Sequence, residues 1–252
     1  MVLSLACRIL FLASATAGLL VSASPSGAIV GGVERNDGLN RRSLMVLSSR
    51  GGVCSGIVLA QDVVLTAGHC VSGAPEHRLH YRDEDGSPVL LAPREKVVHP
   101  GFDAKAIGAR RRSIDLALVL LPEPLPARFV PAQLTEKRPA RDMLVTVGGY
   151  GVSREGEART TGTYRSADLQ TIEPHGPSSI LLWAEGRGSA GACQGDSGGP
   201  LLLGQAVVAV TAWAGGESGR ACGGLTQGIL VGPQRNWIDR VTGDWNRTVR
   251  WE

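Results

Sequence analysis

From Gly32 onward the chain alternates short apolar runs with turn residues, and no other feature of the sequence restricts the fold as much. The runs are Leu44–Ser48, Gly56–Leu59, Val63–Thr66, Leu116–Leu121, Met143–Val147, Ile180–Trp183, Pro200–Leu203 and Ala206–Thr211. Val, Ile, Leu and Thr dominate them, their lengths suit strands, and Gly, Pro, Asn or Asp separate many of them. No long helical pattern alternates with them and no internal repeat is visible, so the pattern predicts an all-β barrel or sandwich, not a βαβ fold. One helix is expected late, over Pro233–Val241, with proline at its start and Gly243 beyond it. The proline-rich, then charged stretch Leu121–Arg141 reads as a connector between two halves, 29–131 and 132–252. With 252 residues, 43% hydrophobic and 19% charged, the chain has the composition of a globular protein with a sizeable core. A net charge of +3 is too small to imply a nucleic acid or an acidic membrane as partner.

The N-terminus has a different character. Arg8 precedes an apolar run over residues 9–21, followed by small residues from Ser22 to Ala28, the layout of a secretory signal peptide. The run is shorter than the roughly 20 apolar residues a membrane-spanning helix needs. Removal of residues 1–28 also removes Cys7 and leaves Cys54, Cys70, Cys193 and Cys222. An even number in an exported chain reads as two disulfides, with three pairings open. No two of these cysteines have the short spacing of a zinc site.

The segment Cys193-Gln194-Gly195-Asp196-Ser197-Gly198-Gly199-Pro200 carries the clearest chemical signal. A serine between glycines is accessible, and its neighbouring backbone N–H groups can converge on one point, as stabilising an acyl-transfer oxyanion requires. A serine hydroxyl is a weak nucleophile and needs a base, with a third group to orient that base. Thr66-Ala67-Gly68-His69-Cys70 offers the imidazole, and Ile114-Asp115-Leu116-Ala117-Leu118 offers a carboxylate inside an apolar run. Buried alone, that carboxylate would be costly, and an imidazolium is a fitting partner. Singly, each segment has an ordinary structural explanation: a turn, a core histidine, a helix cap. Their joint occurrence favours catalysis.

These residues also carry a resemblance. Ile29-Val30-Gly31-Gly32, TAGHC at 66–70, IDLAL at 114–118 and CQGDSGGP at 193–200 resemble, in order, the landmarks of the chymotrypsin/trypsin family of serine proteases. Weaker matches at 97–102, 149–151 and 212–214 extend the likeness over almost the whole chain after Gly27. The resemblance implies two packed six-stranded antiparallel barrels with the active site between them, and a secreted endopeptidase that needs neither metal nor cofactor. It implies Ser197 as nucleophile, His69 as base and then acid, Asp115 as the group orienting His69, and the N–H groups of Gly195 and Ser197 as oxyanion hole. It selects the pairs Cys54–Cys70 and Cys193–Cys222. The family's other disulfides are missing, which reads as a reduced, bacterial version. Protein or peptide substrates and proteinaceous inhibitors are the implied partners, with no membrane after signal removal and a monomeric state.

Two further expectations follow from the likeness. The first is activation by a new α-amino group at Ile29 pairing with Asp196. The bond before Ile29 follows Ala28, and Ser26-Gly27-Ala28 resembles a signal-peptidase site, so export alone is expected to liberate Ile29. A rival cut after Ala23 would leave a five-residue propeptide. The second concerns specificity. Gly191, Ala192, Trp213, Ala214 and Gly228 are expected to line an uncharged pocket for small to medium apolar side chains. Ala212 stands where the family commonly has a serine bonded to the triad aspartate, and the stretch 214–221 is long. Arg110-Arg111-Arg112 reads as a solvated loop and Asp83-Glu84-Asp85-Gly86 as a turn. The competing reading is a catalytically silent homologue that binds a partner through the same cleft.

Overall fold

The structure, a computed structural model, describes residues 29–34, 38–109, 111–216 and 219–252. The export segment expected over 1–28 lies outside them.

The first stretch of backbone, β1 (Val33–Glu34), is followed by β2 (Ser43–Ser48), β3 (Val53–Ala60), β4 (Val63–Thr66) and a single helical turn, α1 (Gly68–Val71). Next come β5 (His77–Arg82), β6 (Pro88–Leu91), β7 (Glu95–Val98), the short α2 (Ala106–Ala109) and β8 (Ala117–Leu120). Seven of these strands form one sheet in the order β6-β5-β2-β3-β4-β8-β7. No pairing joins β6 to β7 among the described residues, so this half is a curled open sheet instead of the closed six-stranded barrel expected.

The second half contains β9 (Gln133–Leu134), β10 (Leu144–Gly149), β11 (Arg165–Ile172), β12 (Leu181–Glu185), β13 (Pro200–Leu203), β14 (Ala206–Gly216) and β15 (Gly224–Leu230), then α3 (Arg235–Asp244) and β16 (Arg250–Trp251). Here six strands close on themselves in the order β13-β10-β11-β12-β15-β14, with β14 returning to β13. Closure removes the free edges that an open sheet must otherwise protect. β1 pairs with β11, so Val33–Glu34 belong to this second sheet, although the sequence division assigned them to the first half.

Period-two alternation explains the continuous apolar runs. In β4, Val64 faces the interior of the first half with Leu44, Val46, Leu79 and Val119, whereas Val63 and Leu65 face a second cluster shared with Leu134, Val207, Val210 and Ile229. β8 repeats the division, Ala117 and Val119 one way and Leu118 and Leu120 the other. A strand buried on both faces needs no polar alternate residues. A third cluster fills the closed barrel with Val145, Val147, Leu169, Leu201 and Val208, and Ile29 is buried within it.

The C-terminal segment fastens the halves together. Trp237 on α3 stacks edge-on against His99, with centroids 4.7 Å apart, and β16 runs parallel to β9. Trp251 Nε1 donates to Asp239 Oδ1 at 2.8 Å, and Arg247 Nε donates to both carboxylate oxygens of Asp62 at 2.8 and 2.9 Å. The residues after Thr242 are therefore docked.

Candidate active site

The site forms where both sheets present loops to each other. His69 lies in α1, immediately after β4, in a turn tied down by the disulfide Cys54–Cys70. Asp115 lies just before β8, and β4 pairs with β8, so the two residues arrive side by side. Asp115 accepts twice from His69: the backbone N–H reaches Oδ1 at 2.8 Å and ring Nδ1 reaches Oδ2 at 2.6 Å. The paired bonds fix which ring nitrogen carries hydrogen and leave Nε2 directed elsewhere. The Asp115 side chain is 13% exposed and that of His69 39%, so the imidazole is open to solvent while its partner is mostly covered.

Ser197 comes from the turn before β13, in the other half. That turn is anchored across the interface by Ser55, a fully buried residue next to Cys54. Ser55 N–H donates to the Ser197 carbonyl at 2.8 Å, and its hydroxyl donates to the Gly195 carbonyl at 2.9 Å while accepting from Tyr150 N–H. Nothing in the sequence singled out Ser55, since its role depends on contacts across 140 residues of chain. Cys70 Sγ lies 3.7 Å from both His69 Nε2 and the Ser197 carbonyl, which puts the imidazole and the serine turn against the same sulfur. No hydrogen bond joins the Ser197 hydroxyl to His69 in this state. Such bonds commonly tighten only with substrate bound. The backbone N–H groups of Gly195 and Ser197 donate to no protein acceptor among the described residues. Gly195 has φ +98°, and a Cβ there would fall 2.7 Å from Gly151 Cα, so only glycine serves.

Asp196, beside the serine, is wholly buried. Oδ1 accepts from Gly151 N–H at 2.8 Å and Oδ2 from Cys193 N–H at 2.9 Å. Burial nevertheless pushes its carboxyl up to about 7, against the two hydrogen bonds and the more distant charge of Arg165. Ile29 is also fully buried, with φ +55°, and the next residue, Val30, bridges to Gly191. A β-branched residue at positive φ is strained.

The pocket residues separate into two groups. Gly191 is buried, and a Cβ built there would fall 2.9 Å from Gly224 N and 3.3 Å from Thr226 Oγ1. Ala192 is fully buried, and its N–H donates to Thr226 Oγ1 at 3.1 Å. Thr226 faces Ala214 across the β14–β15 pair. Gly228 lies elsewhere: a Cβ there would strike Leu201 Cδ1 at 2.5 Å and Ala209 Cβ at 3.0 Å, both in the barrel core. Thr226, two residues earlier on β15, is the side chain that meets Gly191 and Ala192. Sequence counting missed it because the 214–221 stretch offers no register, which the cross-strand pair Ala214–Thr226 supplies. The disulfides are Cys54–Cys70 and Cys193–Cys222.

Beside His69 and Asp115 opens a cavity of about 370 Å³ walled by Phe102, Ile180, Leu181, Trp213 and Ile229. Arg111 and Arg112 reach its rim, so this part of the basic loop borders the cleft; Arg111 is paired with Asp103, and Arg110 lies outside the described residues. Ala212 lies in a β-bulge lining the same cavity and has no hydroxyl to offer Asp115.

Comparison with known proteins identifies the family. The family model for trypsin matches residues 29–238. Hypodermin-B of Hypoderma lineatum is 29% identical over 235 residues, covering 84% of this chain and 86% of that protein. Granzyme M of Homo sapiens is 29% identical over 264 residues, covering 94% and 98%. Among solved structures, neuropsin, a serine protease expressed in the limbic system of mouse brain, superposes with a TM-score of 0.72 at 19% identity, covering 85% of this chain and all of that one. A scabies mite inactivated protease paralogue superposes with a TM-score of 0.68 at 21% identity, covering 84% and 99%. At these identities the structural likeness bears on fold alone. The curated relatives are eukaryotic, so the bacterial source read from the missing disulfides is not supported. With the match running from Ile29 to Ile238, the chain belongs to the trypsin family of serine proteases, and its class is serine endopeptidase.

Proposed function

We propose that the mature protein is a secreted endopeptidase that cleaves peptide bonds through Ser197, His69 and Asp115. The observation that carries this reading is the Asp115–His69 pair, joined at 2.6 and 2.8 Å and sharing the Cys70 sulfur with the serine turn. His69 Nε2 takes the proton of the Ser197 hydroxyl as it attacks the scissile carbonyl, then returns it to the leaving amine. Asp115 stabilises the imidazolium formed between those steps. The unengaged N–H groups of Gly195 and Ser197 receive the negative oxygen of the tetrahedral intermediate.

Cleavage before Ile29 completes the site. The φ angle of Ile29 is defined through the preceding carbonyl, so cutting that bond abolishes a strain on the order of 1–3 kcal/mol. The freed α-amino group provides the counter-charge that Asp196 lacks in the uncleaved chain. Gly224 and Thr226 lie close to Gly191 and Ala192, which supports a small uncharged side chain before the scissile bond. That narrows the range expected from the sequence. The test is hydrolysis of a peptide library by protein beginning at Ile29, with Ser197→Ala as blank. Cleavage after small residues, abolished in the blank, supports the reading. An inert protein beginning at Ile29 points instead to a silent homologue that binds through its cleft.

A further inference from the structure

A second cavity, of about 270 Å³, lies between the two halves, away from the catalytic cleft. Its lining includes Arg41, Arg82 and Arg128 together with Tyr81, Phe129 and Tyr150. Three arginines line one small space, and none of their guanidinium groups has a carboxylate within ion-pair distance among the described residues. Arg128 is explained by its surroundings: its guanidinium carbon lies 5.3 Å from the ring centres of both Tyr81 and Phe129, and its Nη2 donates to the Arg82 carbonyl. Arg82 spends one N–H on the Gly86 carbonyl at 2.7 Å. Arg41 is exposed and its guanidinium makes no hydrogen bond. Asp83 and Glu123 are near enough to influence Tyr81 but line no part of the cavity.

Like charges gathered without a counter-ion among the described residues repel, and each guanidinium keeps N–H donors in a planar fork suited to two oxygens of one anion. The walls between them are aromatic, and the volume is slightly below that of a drug-sized pocket, enough for one ring and one anionic head. We infer that this cavity binds an aryl phosphate or aryl sulfate ester, the chemistry of a phosphorylated or sulfated tyrosine side chain. Arg41, Arg82 and Arg128 hold the oxyanion, and Tyr81, Phe129 and Tyr150 flank the ring. The inference does not depend on the proteolytic reading, since none of these side chains belongs to the cleft.

Calorimetric titration of the full protein with phenyl phosphate and phenyl sulfate tests it, with phenol and inorganic phosphate as comparisons. Saturable one-to-one binding of at least one ester is expected, about tenfold or more tighter than either comparison ligand. Preference for phosphate or for sulfate assigns the source, and either supports the inference. Arg41→Gln, at an exposed side chain whose guanidinium makes no hydrogen bond, is expected to weaken binding about tenfold while leaving the unfolding transition unchanged. Arg82→Gln serves as a second variant. Labelling Ser197 with a fluorophosphonate beforehand leaves ester binding intact. Absence of saturable binding, equal affinity for phenol or inorganic phosphate, unchanged affinity in both variants, or loss of binding on Ser197 labelling each overturns the inference.

Discussion

Replacing Asp196 by asparagine in an uncleaved chain that also carries Ser197→Ala isolates the energetic cost of a buried carboxylate awaiting its partner. In the folded state Asp196 ionises at about 7, against an ordinary value of 3.8. Between those pH values the folded protein holds a proton that the unfolded chain has released, so stability falls as pH rises. At about 1.4 kcal/mol per unit over roughly three units, the loss comes to about 4 kcal/mol, complete near pH 7 and absent below 3.8. The asparagine side chain does not titrate. It carries a constant penalty, because its amide nitrogen cannot accept the N–H of Gly151 or Cys193. Urea unfolding of both chains from pH 4 to 8 therefore gives a stability difference that changes by several kcal/mol, with every other titration cancelling. Protein cut before Ile29 is expected to lose most of that dependence, since the α-amino group then favours the charged carboxylate. A difference between the two uncleaved chains that stays flat within about 1 kcal/mol across this range refutes the reasoning.

Three substitutions probe the rest of the site. Asp115→Asn retains an acceptor for the His69 backbone N–H but presents an N–H to Nδ1, forcing the wrong tautomer; kcat is expected to fall about ten-thousand-fold, as for this substitution in the family template, with KM little changed. Thr226→Gly removes the side chain proposed to cap the pocket, and kcat/KM for substrates with a bulkier residue before the scissile bond is expected to rise about tenfold relative to alanine. An unchanged profile in a library assay would disprove the assignment of Thr226. Gly228→Ala drives a methyl into Leu201 and Ala209, so chemical denaturation is expected to show a loss of about 1–3 kcal/mol with the cleavage profile unaltered.

The apolar runs that became β4, β8 and β13 were legible because those strands are buried on both faces, or nearly so, and leave no polar residue to blur the pattern. β5 (HRLHYR) and β11 (RSADLQTI) were not. Their outward residues are charged or polar, and pairing holds them extended, β5 with β2 and β6, β11 with β1, β10 and β12. The late helix begins at Arg235 and runs to Asp244, past the expected end, because Gly243 is tolerated in its last turn. The candidates His69, Asp115 and Ser197 could be singled out because the residue types and their flanking glycines are local features of the sequence. Ser55 and Thr226 were not readable, since each acts through partners distant in the chain. The open first sheet was likewise hidden: closure depends on whether β6 and β7 meet, and no local pattern encodes that.

Stoichiometric labelling with a fluorophosphonate is the most direct test of whether the hydroxyl of residue 197 is activated by the paired imidazole. In protein beginning at Ile29, one label per chain is expected, located by peptide mass mapping at Ser197 and strongly reduced in His69→Ala. No label, a label elsewhere, or equal labelling without the imidazole would contradict the account.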